Sequence, residues 1–192
     1  MSETIRKPVV VFTDGDDTAF HALSKACEEL QCHPLRASRG NPTHLTGDEL
    51  VRAVVNAPQD PVVVMVDDRG DAGQGEGENA LQVLLQSSEV EVLGVVAVAA
   101  NTQPVHGVDV VVSVTQDGQV IEGAVDKSGE QVAGHLLRGD TVDVLESYQG
   151  PVVGLGDPGK MDGHDSVKKG VPVTKKALQE VLQRSGWDVR QV

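Results

Sequence analysis

Two aspartate-rich loops hold most of the chain's capacity for chemistry. Thr13-Asp14-Gly15-Asp16-Asp17 follows an apolar run at 8–12, and Asp67-Asp68-Arg69-Gly70-Asp71 follows another at 61–66. If both runs are neighbouring parallel strands, their loops leave the same sheet edge, where open α/β sheets bind ligands. Up to six carboxylates would then share one crevice. Like charges gathered that closely need a cation or shared protons. Asp14, Asp16, Asp67 and Asp68 are therefore candidate ligands of a Mg²⁺ or Ca²⁺ ion. Ordinary turn and helix-cap duty without a metal is the other reading of the same residues, and it stays open.

Asn101, Asp157 and Lys160, each just past a later apolar run, are candidate pocket residues, with Lys160 in reach as a counter-charge. The stretch from Gly154 to Lys160 has the G-x-x-x-x-G-K spacing of a phosphate loop. However, Met161 replaces the expected hydroxyl and Gly163 interrupts the helix that should follow. Gly73-Gln74-Gly75-Glu76-Gly77-Glu78 could open a phosphate-binding helix, but Glu76 and Glu78 repel phosphate and suit a plain helix start. His44, His106, His135 and His164 lack ligand spacing, although His164 stands between Asp162 and Asp165. No Gly-x-Ser-x-Gly elbow or Cys–His arrangement supplies a nucleophile.

The elements that must position these groups alternate. Strands are expected at 8–12, 34–37, 61–66 and 92–99, and helices at 18–30, 46–57 and 76–86; Thr46 and Glu49 form a capping box. This order predicts a three-layer α/β/α sandwich with a mainly parallel, Rossmann-like or Toprim-like sheet. Beyond it, 108–114 and 120–123 flank Gln116-Asp117-Gly118, an antiparallel hairpin signal. Strands are also expected at 142–145 and 152–155, then a helix capped by Thr174 and running to Arg184. The reading is one domain over 1–192, with a core at 8–100 and 140–186 and a hairpin extension at 106–125.

Composition narrows the classes of partner. A chain of 192 residues buries about 70% of its unfolded surface and needs no staples. Its net charge of −13 opposes binding to nucleic acid, whose phosphates need clustered Lys and Arg. The only aromatics are Phe12, Phe20, Tyr148 and Trp187, too few for base stacking. Lys168, Lys169, Lys175 and Lys176 form the one basic concentration and read as a solvated helix start. Cys27 and Cys32 read as reduced, structural thiols. The longest apolar stretch, 92–100, is too short to span a bilayer, and no secretory segment is expected before the first strand.

Several strings together resemble the stage V sporulation protein AE family, the soluble component among the stage V A proteins of spore formers. They are Thr13-Asp14-Gly15-Asp16, Gly40-Asn41-Pro42-Thr43, Leu45-Thr46-Gly47, Asp67-Asp68 with Gly73 and Gly75, Glu91-Val92-Leu93-Gly94-Val95, Val125-Asp126-Lys127 and Gly156-Asp157-Pro158-Gly159-Lys160-Met161. The resemblance implies a soluble, non-catalytic accessory of the assembly that moves dipicolinic acid with calcium, acting in sporulation, germination or both. It also implies partners among the stage V A or germination proteins and a place at the inner spore membrane through them, without insertion. A more distant resemblance is to Toprim domains, which carry Glu-Gly after the first strand and Asp-x-Asp after the third. Here Thr13 or Asp14 stands at the glutamate and Asp67-Asp68 approximates the second motif, a departure that argues against strand cleavage. The alternative function is a Mg²⁺-dependent phosphoryl-transfer or nucleic-acid-processing domain of degenerate Toprim type. Asp16, Asp67 and Lys160 also resemble the phospho-acceptor pocket of receiver domains, at the level of fold analogy.

Overall fold

A computed structural model describes residues 5–69, 75–101 and 107–188. Strands β1 (Lys7–Phe12), β2 (His33–Pro34), β3 (Val62–Met65) and β4 (Val90–Val98) alternate with helices α1 (Asp17–Leu30), α2 (Gly47–Val55) and α3 (Glu76–Gln86). Next come the short strands β5 (Gly107–Asp109), β6 (Val112–Val114), β7 (Val120–Ile121) and β8 (Leu136–Arg138), followed by β9 (Val152–Leu155) and α4 (Pro172–Arg184). The main sheet has the order β2-β3-β1-β4-β9-β6-β7, parallel throughout except where β7 pairs antiparallel with β6. β5 and β8 form a separate antiparallel pair.

The strands are valine-rich because both faces of this sheet are covered. Alternate residues of β1 enter two cores. Val9 and Val11 pack with Leu50, Val54, Leu81 and Leu84 of α2 and α3. Val10 and Phe12 pack with Leu23, Ala26, Leu178 and Val181 of α1 and α4. The expected α/β sandwich is thus observed. β1 leads to a helix on one face, while its neighbour β3 leads to a helix on the other. That divergence opens a crevice at the carboxyl edge of the sheet.

Four local expectations are corrected. The strand expected at 34–37 is only His33–Pro34, followed by a 3₁₀ turn at Arg36–Ser38; Ser38 Oγ accepts the Met65 N–H at 2.9 Å and so replaces strand pairing. The strand expected at 142–145 is a 3₁₀ helix at Asp143–Ser147, because the Glu78 carboxylate accepts the N–H groups of Asp143 and Val144. The run 108–114 is split. Val110 N–H bonds His135 O, next to β8, and Val111 N–H bonds Val152 O of β9, so β5 and β6 enter different sheets. The hairpin survives only as β6 and β7. Thr174 does not cap α4 but lies in its first turn; Asp165 accepts the N–H groups of Val173 and Thr174 as well as the Thr174 hydroxyl.

Candidate functional site

The ends of four parallel strands meet around a cavity of about 280 Å³. β1 contributes Thr13, Asp14 and Asp16, β3 contributes Asp67 and Arg69, β4 contributes Asn101, and β9 contributes Asp157 and Lys160. Asn41, Lys127 and Asp140 complete its walls. Six of the seven candidate residues, Asp14, Asp16, Asp67, Asn101, Asp157 and Lys160, therefore line one crevice. The seventh, Asp68, does not.

Asp68 points to the other side because neighbouring residues on an extended chain alternate faces. It is buried and accepts the N–H groups of Gly77 (2.7 Å) and Glu78 (3.0 Å) with separate oxygens, and its Oδ2 also accepts the Thr141 hydroxyl (2.9 Å). It thereby supplies the cap that Gly75, at the N-cap position, has no side chain to give. The first amides of α3 are engaged by a carboxylate, as a plain helix start requires. Asp71, Gly73 and His106 lie outside the described residues.

Asp67 and Asp16 are also committed to scaffolding. Asp67 Oδ2 accepts the Gly15 N–H (3.0 Å) and Oδ1 the Arg69 N–H (2.7 Å), tying the first and third strand loops together. Thr43 clamps the Asp67 backbone from both sides. Gly15 has no alternative here: a Cβ would stand 1.9 Å from Gly40 O. Asp16 caps α1 through the Ala19 N–H (2.7 Å), and its other oxygen meets Lys160 Nζ at 3.4 Å. Asp157 pairs with Lys127 at 3.6 Å. Asp17 lies on the surface beside Arg39.

Asp14 differs from these. Its Oδ1 accepts the Asp16 N–H at 3.2 Å, and its other oxygen has no hydrogen bond among the described residues. Burial, and then the charge of Asp16, push its carboxyl up to about 7. Burial likewise raises Asp67 to about 6, with Asp140 adding to the rise and the Arg69 and Gly15 amides opposing it. Burial alone would lower Lys160, but Asp16 and Asp157 outweigh it and hold the ammonium above its ordinary value. The crevice thus presents two carboxyls of raised proton affinity beside a lysine held charged.

Among the described residues, no group of three or more His, Cys, Asp or Glu side chains has an arrangement that could hold a metal ion. All four proposed ligands accept backbone amides, and Asp14 alone does so weakly and through one oxygen only. The phosphate-loop spacing is equally unsupported. The backbone after Lys160 turns left-handed at Met161 and Asp162 instead of entering a helix, and Asp165 Oδ2 takes the Gly159 N–H. His164 lies 3.8 Å from Asp117, in the hairpin turn. Asp140 escaped the sequence reading because the Gly139-Asp140-Thr141 string resembles any turn. Lys127 was visible in the Val125-Asp126-Lys127 string, though nothing there marked it as facing the crevice.

A family model described as SpoVAE, Stage V sporulation protein AE1, matches residues 8–185. The chain belongs to this family. The match includes every residue that lines the crevice. Family membership connects the chain to sporulation. No curated protein and no solved structure matches the chain. Among the described residues, no helix of this family member is long and apolar enough to cross a membrane.

Proposed function

We propose that the chain is a non-catalytic accessory of the spore stage V A assembly, acting through protein contacts in dipicolinic acid uptake during sporulation, in germination, or in both. It stands at the inner spore membrane through its partners. One observation supports the non-catalytic reading: Asp16, Asp67 and Asp68 are committed to capping helices and joining loops, as such carboxylates are in a scaffold. The purified chain should turn over neither plasmid DNA nor simple phosphate esters in the presence of Mg²⁺. Metal-dependent turnover that disappears in Asp14→Asn would overturn the reading.

A second reading, Mg²⁺- or Ca²⁺-dependent phosphoryl transfer, is favoured by Asp14, whose free oxygen and raised proton affinity suit a group that exchanges a proton for a cation. A cation there would take its remaining ligands from substrate or water. Thermal unfolding with and without each ion separates the two readings. The accessory reading expects no shift, and the phosphoryl-transfer reading expects stabilisation that is lost in Asp14→Asn.

A further inference from the structure

The C-terminal cap of α1 joins the chain's only two cysteines. Gln31 is left-handed (φ 57°) and its N–H bonds to Cys27 O. Cys32 N–H bonds to the same carbonyl at 3.0 Å. This is the six-residue closure of a Schellman motif, in which the side chains of the two residues it joins commonly touch. Such a contact is normally hydrocarbon on hydrocarbon. Here both positions are thiols, Cys27 fully buried and Cys32 4% exposed, within one apolar cluster. Cys32 Sγ donates to Leu30 O at 3.6 Å.

We propose that Cys27 and Cys32 are a dithiol that oxidises to an intramolecular disulfide, a covalent staple across the α1 cap. A disulfide needs Cα atoms roughly 4.4–6.8 Å apart with Cβ vectors that converge. The backbone hydrogen bond from Cys32 N–H to Cys27 O and the burial of both side chains in one cluster favour both conditions. The co-reactant is a low-molecular-weight disulfide. The Cys32 thiolate, the less buried of the two, attacks one sulfur of the reagent, breaks its S–S bond and expels one thiol. Cys27 then loses its proton to water and attacks Cys32 Sγ, expelling the second thiol. Two protein thiols are oxidised and the reagent is reduced to two thiols.

Burial and the Cys32 contact hold the Cys27 thiol well above its ordinary proton affinity. The second step therefore accelerates with alkalinity and with fraying of the last turn of α1. Once closed, the bond fixes the left-handed Gln31 and the entry into β2, an edge strand of the main sheet. The closed ring is short, so its effect is on local opening more than on global stability.

The full-length chain is treated with oxidised glutathione and analysed by intact mass, thiol titration and peptide mapping. The expected result is loss of two hydrogen atoms, loss of both titratable thiols and a Cys27–Cys32 cross-link, with slower hydrogen exchange confined to the amides of 28–33. Cys27→Ala should stop at a stable glutathione adduct on Cys32, and Cys32→Ala should resist the reagent while folded. A stable adduct on the unmodified chain, a disulfide-linked dimer, or thiols that react only in denaturant would each overturn the proposal.

Discussion

Replacing Asp14 with asparagine should stabilise the protein, although it removes a charge from the centre of the crevice. The substitution keeps Oδ1, which accepts the Asp16 N–H, and removes a carboxyl whose ionisation is opposed by burial and by Asp16. Asp14 holds its proton to about 7 when folded, against an ordinary value of 3.8. Between those values the folded state binds more protons than the unfolded state, so stability falls as the pH rises from about 4 to about 7 and then levels. At 1.36 kcal/mol per pH unit, the difference corresponds to about 4 kcal/mol as an upper bound. Water in the open crevice screens the charge, leaving roughly 2 kcal/mol. In a chain of this length that is a rise of about 4–8 °C in Tm. Urea and thermal unfolding of both proteins at about pH 8 and about pH 4 measure it. Asp14→Asn should be the more stable at the higher pH and equal to wild type at the lower. Equal or lower stability at about pH 8 would refute the desolvation argument.

Three further outcomes follow from the same contacts. Asp68→Ala uncaps α3 and strands the buried Thr141 hydroxyl, a loss of about 2–3 kcal/mol readable as a lower urea midpoint. Asp165→Ala removes the acceptor for Gly159, Val173 and Thr174, with a loss of about 3 kcal/mol and selective loss of amide protection in the first turn of α4. The purified chain should not sediment with anionic vesicles at physiological salt. Each basic residue near such a surface gives about 1 kcal/mol, and Lys175 and Lys176 are already paired with Glu29 and Glu180. Strong vesicle binding would contradict this and direct mutation to Lys168 and Lys169.

The regular part of the chain was legible because local signals agreed with tertiary demands. α3 spans the expected Glu76–Gln86, and Thr46 with Glu49 forms the capping box its spacing announced. Asp14 and Asp67 were brought together by strand adjacency alone. The errors arose where distant side chains reshaped the backbone. Val142 to Leu145 reads as a strand, but the Glu78 carboxylate gathers two of its amides into a helical turn. Thr174 has a capping residue's chemistry, yet its hydroxyl donates to Asp165, which lies outside the helix and does the capping. Asp68 could have been set aside in advance. Two successive aspartates at a strand end face opposite sides, so both could not enter one crevice. Trp187, just beyond the last helix, packs against the α1 and α4 core.

Cross-linked affinity capture from sporulating cells tests the accessory reading most directly. A functional tagged chain is cross-linked in place, recovered, and its partners identified by mass spectrometry against an untagged control. The accessory reading predicts specific recovery of other stage V A or germination proteins, undiminished in Asp14→Asn because contact rather than chemistry is what the chain supplies. Recovery of the folded chain without any of these proteins would contradict it.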